Sequence, residues 1–314
     1  MIDTESFKLH FSREFGLELI GDIKVDGAFH YLGTAEDKGR KPIRYCVHLD
    51  QPANIYFNDL KRGIRDTWYP EGQAPLDPAE RERRRREIEA NKAKREQETQ
   101  AKQAKAAERA RALWQQSAPA NPNHPYLVRK GVGVHGLRQL ATWTRRNYQN
   151  DGSFETIKVN DVLLIPMRDA TGALWNVQAI FPEYCPALER GKDFLSAGRV
   201  TGLFHWIGQR TETVCLAEGY ASAATVYETT GYRCFVAFSA GNLPIVASVV
   251  REAMPGARIV ICADHDKPDK NGRRAGIEKA EEAAALVGGF VAMPETEGDD
   301  FNDWMKRLRD EGHV

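Results

Sequence analysis

Over about the last hundred residues, short apolar runs alternate with amphipathic stretches. "TVCLAEG", "RCFVAFS", "RIVICAD" and "GFVAMPE" are apolar without a polar break, the mark of strands buried on both faces. Between them, Ala221–Thr230, Leu243–Met254 and Arg274–Val287 carry helical periodicity, and Phe301–Arg309 supplies a last helix. The alternation predicts a four-stranded parallel sheet flanked by helices, an α/β domain over residues 211–314.

The rest of the chain reads differently. In residues 1–75 the runs "AFHYLGT", "IRYCVHL" and "ANIYFND" are short, aromatic and separated by turn-rich segments, which predicts a small β-rich domain. Residues 76–117 predict one long charged helix. Asp77 is the candidate N-cap, Pro78 suits the first helical position and Glu80 stands where a capping box places a carboxylate. Large apolar residues are nearly absent until Leu113 and Trp114, so this is a solvent-bridging linker, able to span on the order of 60 Å. Pairs four apart, Glu82–Arg86 and Glu98–Lys102, support it. The alternative, that "RERRRRE" grips nucleic acid, is weakened by the acidic residues that interrupt the run. Residues 118–210 mix a helix-like start, "HPYLVRKG", with strand-like "DVLLIPMRD" and "ALWNVQAIF", an α+β segment.

Charge sharpens this division. The 314 residues have zero formal net charge, but residues 1–210 hold 33 Lys and Arg against 27 Asp and Glu, whereas residues 211–314 hold 11 against 17. A basic part joined to an acidic one suits a polyanion track beside a cation site. The five cysteines include no C-x-x-C pair, which argues against a zinc ribbon and a disulfide framework. No apolar run reaches ~18 residues, and "MIDTESFKLHFSREF" has no signal-peptide core, so no membrane contact and a cytoplasmic location are expected.

The candidate chemistry is acidic. In a parallel α/β sheet, ligands bind beyond the carboxyl ends of the strands. The first strand exits into Glu218 and Gly219, the third into Asp264-His265-Asp266, and the fourth into "PETEGDDFND", with Asp299, Asp300 and Asp303. Glu is a poor turn residue, so Glu218 needs another reason to stand there; Gly219 would let the backbone turn sharply. Carboxylates gathered on one edge raise one another's pKa unless a cation neutralises them. Oxygen donors without Cys or paired His select Mg²⁺ or Mn²⁺ rather than zinc. Asp299–Asp303 has a competing reading as helix capping. His265 should point to the opposite side of an extended segment. "GVGVHG" at 131–136 matches a dinucleotide fingerprint only by letter, lacking its strand and frame, and no phosphate-binding P-loop occurs.

"CLAEGYASAATV", "VAFSAGNL", "IVICADHD" and "DDFND", in that order over about residues 212–305, resemble the TOPRIM domain, in the version found in primases of phages and conjugative plasmids. "LLIPMRDATGALWNVQAIF" followed by "GKDFLSAGRVTGLFHWIG" is similar to the segment preceding TOPRIM in bacterial primases, so 118–210 would be the primase-core N-terminal subdomain. Residues 24–69 resemble, more weakly, the N-terminal region of the same mobile-element proteins. The resemblance implies synthesis of short RNA primers on a single-stranded DNA template from NTPs. Glu218 would be the TOPRIM glutamate, Asp264 and Asp266 the metal pair, and Asp300 and Asp303 supporting acidic positions. The family's zinc ribbon and helicase part are absent from this sequence, so a replicative helicase would act in trans or on a missing C-terminal part.

On that reading one or two Mg²⁺ neutralise the triphosphate while a 3′-hydroxyl attacks the α-phosphorus. Glu218 is a metal ligand or a proton acceptor. Arg129, Lys130, Arg145, Arg146, Lys192 and Arg199 are candidates for tracking the template, with Trp143 and Tyr148 as stacking surfaces. The competing functions are a metal-dependent TOPRIM nuclease and a non-catalytic nucleic-acid adaptor; a strand-passing topoisomerase lacks a readable tyrosine nucleophile.

Overall fold

The computed structural model describes residues 2–49, 52–70, 78–148, 153–269 and 272–312. The chain forms two compact units, Met1–Lys94 and Arg95–Val314.

The first unit is built on an antiparallel meander of β1 (Leu19–Ile20), β2 (Phe29–Thr34), β3 (Ile43–His48), β4 (Asn54–Asp59) and β5 (Ile64–Trp68), in that spatial order. The three predicted aromatic runs are β2, β3 and β4. A helix absent from the sequence prediction, α1 (Thr4–Phe15), covers one face. Asp3 caps it, accepting from the amides of Glu5 and Ser6, and Gly16 closes it with φ +67°. Phe7 and Phe11, one turn apart, pack on Phe57 from the sheet, and Phe7 also meets Trp68. Below this core, Asp37 and Asp59 are buried carboxylates. Arg62 reaches both, at 3.0 and 2.8 Å, and Lys61 reaches Asp37 at 2.7 Å. Burial pushes Asp37 up, but hydrogen bonds from Lys61, Thr34 and Arg62 outweigh it and hold the carboxyl well below its ordinary value.

Helix α2 (Pro78–Gln116) forms where the charged stretch predicts it. Glu82 pairs with Arg86 at 3.1 Å, and residues 89–102 are exposed throughout. The proposed cap, Asp77, and the side chain of Glu80 lie outside the described residues. Among the described residues, only the last turns find a core: Ala106, Ala107 and Ala110 are buried, and Leu113 and Trp114 pack with Leu140, Trp143 and Val177.

The second unit holds two sheets. One is antiparallel, in the order β10 (Arg190–Phe194), β9 (Leu174–Cys185), β8 (Phe154–Arg168), β7 (Arg138–Tyr148), β6 (Ala118–Pro119), with α3 (Pro125–Lys130) against β9. The other runs β11 (His205–Ile207), β13 (Arg233–Val236), β12 (Thr213–Ala217), β14 (Arg258–Cys262), β15 (Phe290–Ala292). Strands β13, β12, β14 and β15 are the predicted four and are parallel. Strand β11 adds an antiparallel edge, making five. Its three residues, too short to show a period, come from the segment before 211, so the four predicted parallel strands stand with one antiparallel edge strand added. Helices α4 (Tyr220–Thr230) and α7 (Phe301–Asp310) pack together, as do α5 (Leu243–Ala253) and α6 (Ala275–Val287). Alanines and valines of α5 and α6 fill a core with Leu216 and Ile261, whereas α4 shares a core with Ile165 and Ile180 of the antiparallel sheet. The second core joins the sheets and fixes what can face the strand ends. Three thiols, Cys215, Cys234 and Cys262, lie buried on neighbouring strands as free cysteines. Among the described residues no helix is long and apolar enough to cross a membrane.

Candidate active site

Strand β12 ends at Ala217, and Glu218 follows directly before α4. Beside it, β14 delivers Asp264 two residues past its end, and α7 begins at its N-cap Asp300, whose carboxylate accepts from the Asp303 amide at 2.8 Å. Glu218, Asp264 and Asp300 line one cavity of ≈ 560 Å³. The second acidic loop is held to the first through main chain: the His265 amide donates to Asp299 O at 2.9 Å, and the Gly298 amide donates to His265 O at 2.7 Å. The His265 ring takes no part in the cavity; its Nδ1 pairs with Pro294 O at 3.0 Å. Asn302, buried, donates to Lys130 O at 2.7 Å and to Thr225 Oγ1 at 2.9 Å, tying α7 to α3 and α4.

Lys130 pairs with Asp300 at 3.7 Å, but Asp264 is poorly compensated. Burial pushes Asp264 up to about 7, the charges of Glu218, Asp300 and Asp266 push the same way, and Lys192 alone opposes them. Its Oδ1 is buried and meets no hydrogen-bond donor. Burial also raises Glu218; Lys192 pulls it back and Asp266 adds to the rise. A buried acceptor with no donor calls for an external positive group.

The predicted metal set is only partly assembled. Asp266 is exposed, does not line the cavity, and rests against the first turn of α6, where a Cβ at Gly276 would overlap its carboxylate. Asp303 faces Lys130 at 3.1 Å and stands outside the cavity. Among the described residues, no three His, Cys, Asp or Glu side chains are grouped closely enough to hold an ion. Two or three carboxylates with one orphaned oxygen still fit a hard divalent cation, since Mg²⁺ takes one or two carboxylates and keeps water in its other positions.

The basic candidates divide evenly. Lys192, Lys130 and Arg129 line the cavity; the Arg129 guanidinium also donates to Pro182 O at 2.9 Å. Arg145 donates to Phe194 O, Arg199 donates to Thr201 O and lies over Trp175, and Arg146 lies over Phe154, all three away from the cavity lining. Trp143 is not a stacking surface: it is 3% exposed, and its indole N–H donates to Asp193 at 3.1 Å. The Tyr148 side chain lies outside the described residues.

Several cavity residues were not singled out from sequence. Gln178 and Ser222, 3% and 2% exposed, line it, and no hydrogen bond among the described residues holds either side chain. Tyr184, 62% exposed, stands at the rim. Phe238, just past β13, adopts φ +70°, a strained conformation for a bulky side chain, while its amide donates to Glu218 O at 2.8 Å. Gly219, by contrast, does not make a sharp turn. Its φ of −109° suits any residue and a Cβ there would meet nothing, so what glycine leaves is open space beside Glu218.

Residues 213–310 match the Toprim domain family. Two curated Escherichia coli proteins, both DNA primase TraC, are similar over 86% of this chain, at 31% identity over 278 residues and 30% over 279. The match covers 24% and 18% of their lengths, so the chain spans about a quarter or less of these relatives. Among solved structures, a DNA primase domain from Pseudomonas aeruginosa is similar at 14% identity and TM-score 0.41, covering 61% of this chain and 68% of that one. The RNA polymerase domain of Mycobacterium tuberculosis primase DnaG is similar at 15% and 0.41, covering 68% and 82%.

Proposed function

We propose that this chain is a primase: it joins nucleotides into short RNA primers on single-stranded DNA by metal-dependent nucleotidyl transfer. One observation carries the reading. Glu218 and Asp264 leave neighbouring parallel strands into one cavity where Asp264 is half-buried, pushed up to about 7 and left with one buried, unpartnered oxygen. Such a site is stable in its working, ionised form only with a cation bound.

Glu218 and Asp264 would hold that cation, with Asp300 beside them and Asp266 within electrostatic reach. A bound Mg²⁺ or Mn²⁺ supplies charge neutralisation at the triphosphate. Lys192, across from the acids, and Arg129 and Lys130 at the same cavity meet the phosphates. Gln178 and Ser222 offer unclaimed hydrogen-bonding groups to a nucleotide, and Tyr184 offers a ring to a base. The template is single-stranded DNA and the substrates are NTPs.

The test is primer synthesis on a single-stranded template with labelled NTPs and Mg²⁺. Short RNA products are expected, and they disappear in Glu218→Gln and Asp264→Asn. Products that survive both substitutions end the assignment. Mg²⁺-dependent DNA degradation without NTPs would identify a nuclease instead.

A further inference from the structure

The meander of the first unit has two faces, and α1 covers only one. Side chains alternate along each strand, and Leu32, Tyr45, Val47, Ile55 and Phe57 belong to the covered core. The opposite face therefore carries Phe29 and Tyr31 from β2, Arg44 and His48 from β3, Tyr56 and Asn58 from β4, and Arg65 and Thr67 from β5. The register places them side by side: Tyr31 is opposite Arg44, Arg44 opposite Asn58 and Asn58 opposite Arg65, with Tyr56 opposite Thr67 in the next row.

This face is aromatic and basic, with Cys46 buried at its centre beside Gly27 and its outer positions open. Phe29 and Tyr31 are 49% and 50% exposed. The Arg44 guanidinium lies 3.7 Å from the Phe29 ring centroid, Arg65 lies 5.6 Å from that of Tyr56, and the two rings meet edge to face at 6.3 Å. Residues 1–70 hold 10 Lys and Arg against 11 Asp and Glu, so the unit has no overall basic excess. Yet the uncovered strand positions carry no carboxylate; Asp59 and Asp66 alternate to the other side. Charge has been sorted between the faces.

We infer that this face is a binding platform for single-stranded nucleic acid, separate from the cavity of the second unit. Unpaired bases stack on Phe29, Tyr31 and Tyr56, while Arg44 and Arg65, already placed over rings, extend the surface and meet phosphates. A duplex keeps its base faces covered and gains only the charge contacts. The inference does not rest on the proposed reaction.

The test uses the full chain, fluorescein-labelled single-stranded DNA and EDTA, so that the metal site contributes nothing. Phe29→Ala with Tyr31→Ala, and Arg44→Ala with Arg65→Ala, should each weaken binding roughly tenfold. The arginine pair should also flatten the salt dependence, whereas Tyr31→Phe should bind as the parent does. Ultraviolet crosslinking of the unaltered chain should place the oligonucleotide on peptides within 29–67, an outcome independent of whether any variant folds. Crosslinks confined to the second unit, unchanged affinity in both folded double variants, or equal affinity for duplex would overturn the inference. Loss of primer synthesis with binding intact would instead count against the proposed reaction.

Discussion

Each unit buries carboxylates, and they meet opposite fates. In the first, Asp37 and Asp59 are enclosed with Arg62 and Lys61, and Asp37 stays ionised far below its ordinary range. In the second, Asp264 is enclosed with other acids, and only Lys192 acts against a carboxyl pushed up to about 7. Asp264 is half-buried where Asp37 and Asp59 are fully buried, yet desolvation acts on both; the difference is how much counter-charge the chain supplies. Where it supplies enough, the carboxylate is a rivet. Where it supplies too little, the fold carries a deficit that a bound cation would meet, and that contrast marks the candidate site more sharply than burial or acidity alone.

The contrast can be broken most severely at the chemistry. Asp264→Asn or Glu218→Gln should lower primer synthesis by about a hundredfold to a thousandfold or more, measured as labelled RNA per unit time. Next is the compensated pair. Arg62→Ala strands buried Asp59 and leaves Asp37 with Lys61 alone, and should cost about 3 kcal/mol of first-unit stability in urea unfolding. Because the folded Asp37 carboxyl lies below its unfolded value, its stabilisation is present above about pH 4 and fades as pH falls further.

Asp264 runs the other way. Its folded value of about 7 exceeds the unfolded one. The metal-free second unit should therefore lose stability as pH rises from about 4 to about 7 and level off above. Asp264→Asn should remove that slope and stabilise the metal-free protein by about 1–3 kcal/mol at pH 8. A substitution that destroys activity while raising the melting temperature would identify the deficit as functional; a lower melting temperature at pH 8 would contradict it. The smallest effect is expected at Lys192. Lys192→Ala removes a positive charge that acts on Asp264 and would also repel a bound cation, so less Mg²⁺ should be needed at pH 8, by about two- to threefold in a thermal-shift titration.

The sequence made the placement of the candidate site legible where it coincided with chain direction. Glu218, Asp264 and Asp300 follow from strand exits, and a parallel sheet puts strand exits on one edge. Asp266 and Asp303 were less readable, because sequence spacing does not reveal that Asp266 turns toward Gly276 or that Asp303 meets Lys130 from another segment. Trp143 illustrates the same limit: an aromatic between basic residues suggests stacking, but its partner, Asp193, lies 50 residues away. Gln178 and Ser222 look like ordinary strand and helix residues until two sheets enclose them. The helix α1 did carry a readable sign, phenylalanines at 7, 11 and 15 behind an Asp cap. Strand β11 did not, since three residues form a strand only because β13 is there to pair with them.

The peptide links at His265 have a consequence for how this site tolerates change. The loop bearing Asp264 and the loop leading to Asp300 are stitched through the amide and carbonyl of one residue, to Asp299 and Gly298, with the His265 ring adding a bond to Pro294 O. Substitution at 265 removes the ring's bond but leaves the two main-chain bonds, whereas inserting or deleting a single residue between 264 and 300 shifts one acid along the other. The gauge of the site is thus kept by chain length, and it is more vulnerable to indels than to point changes.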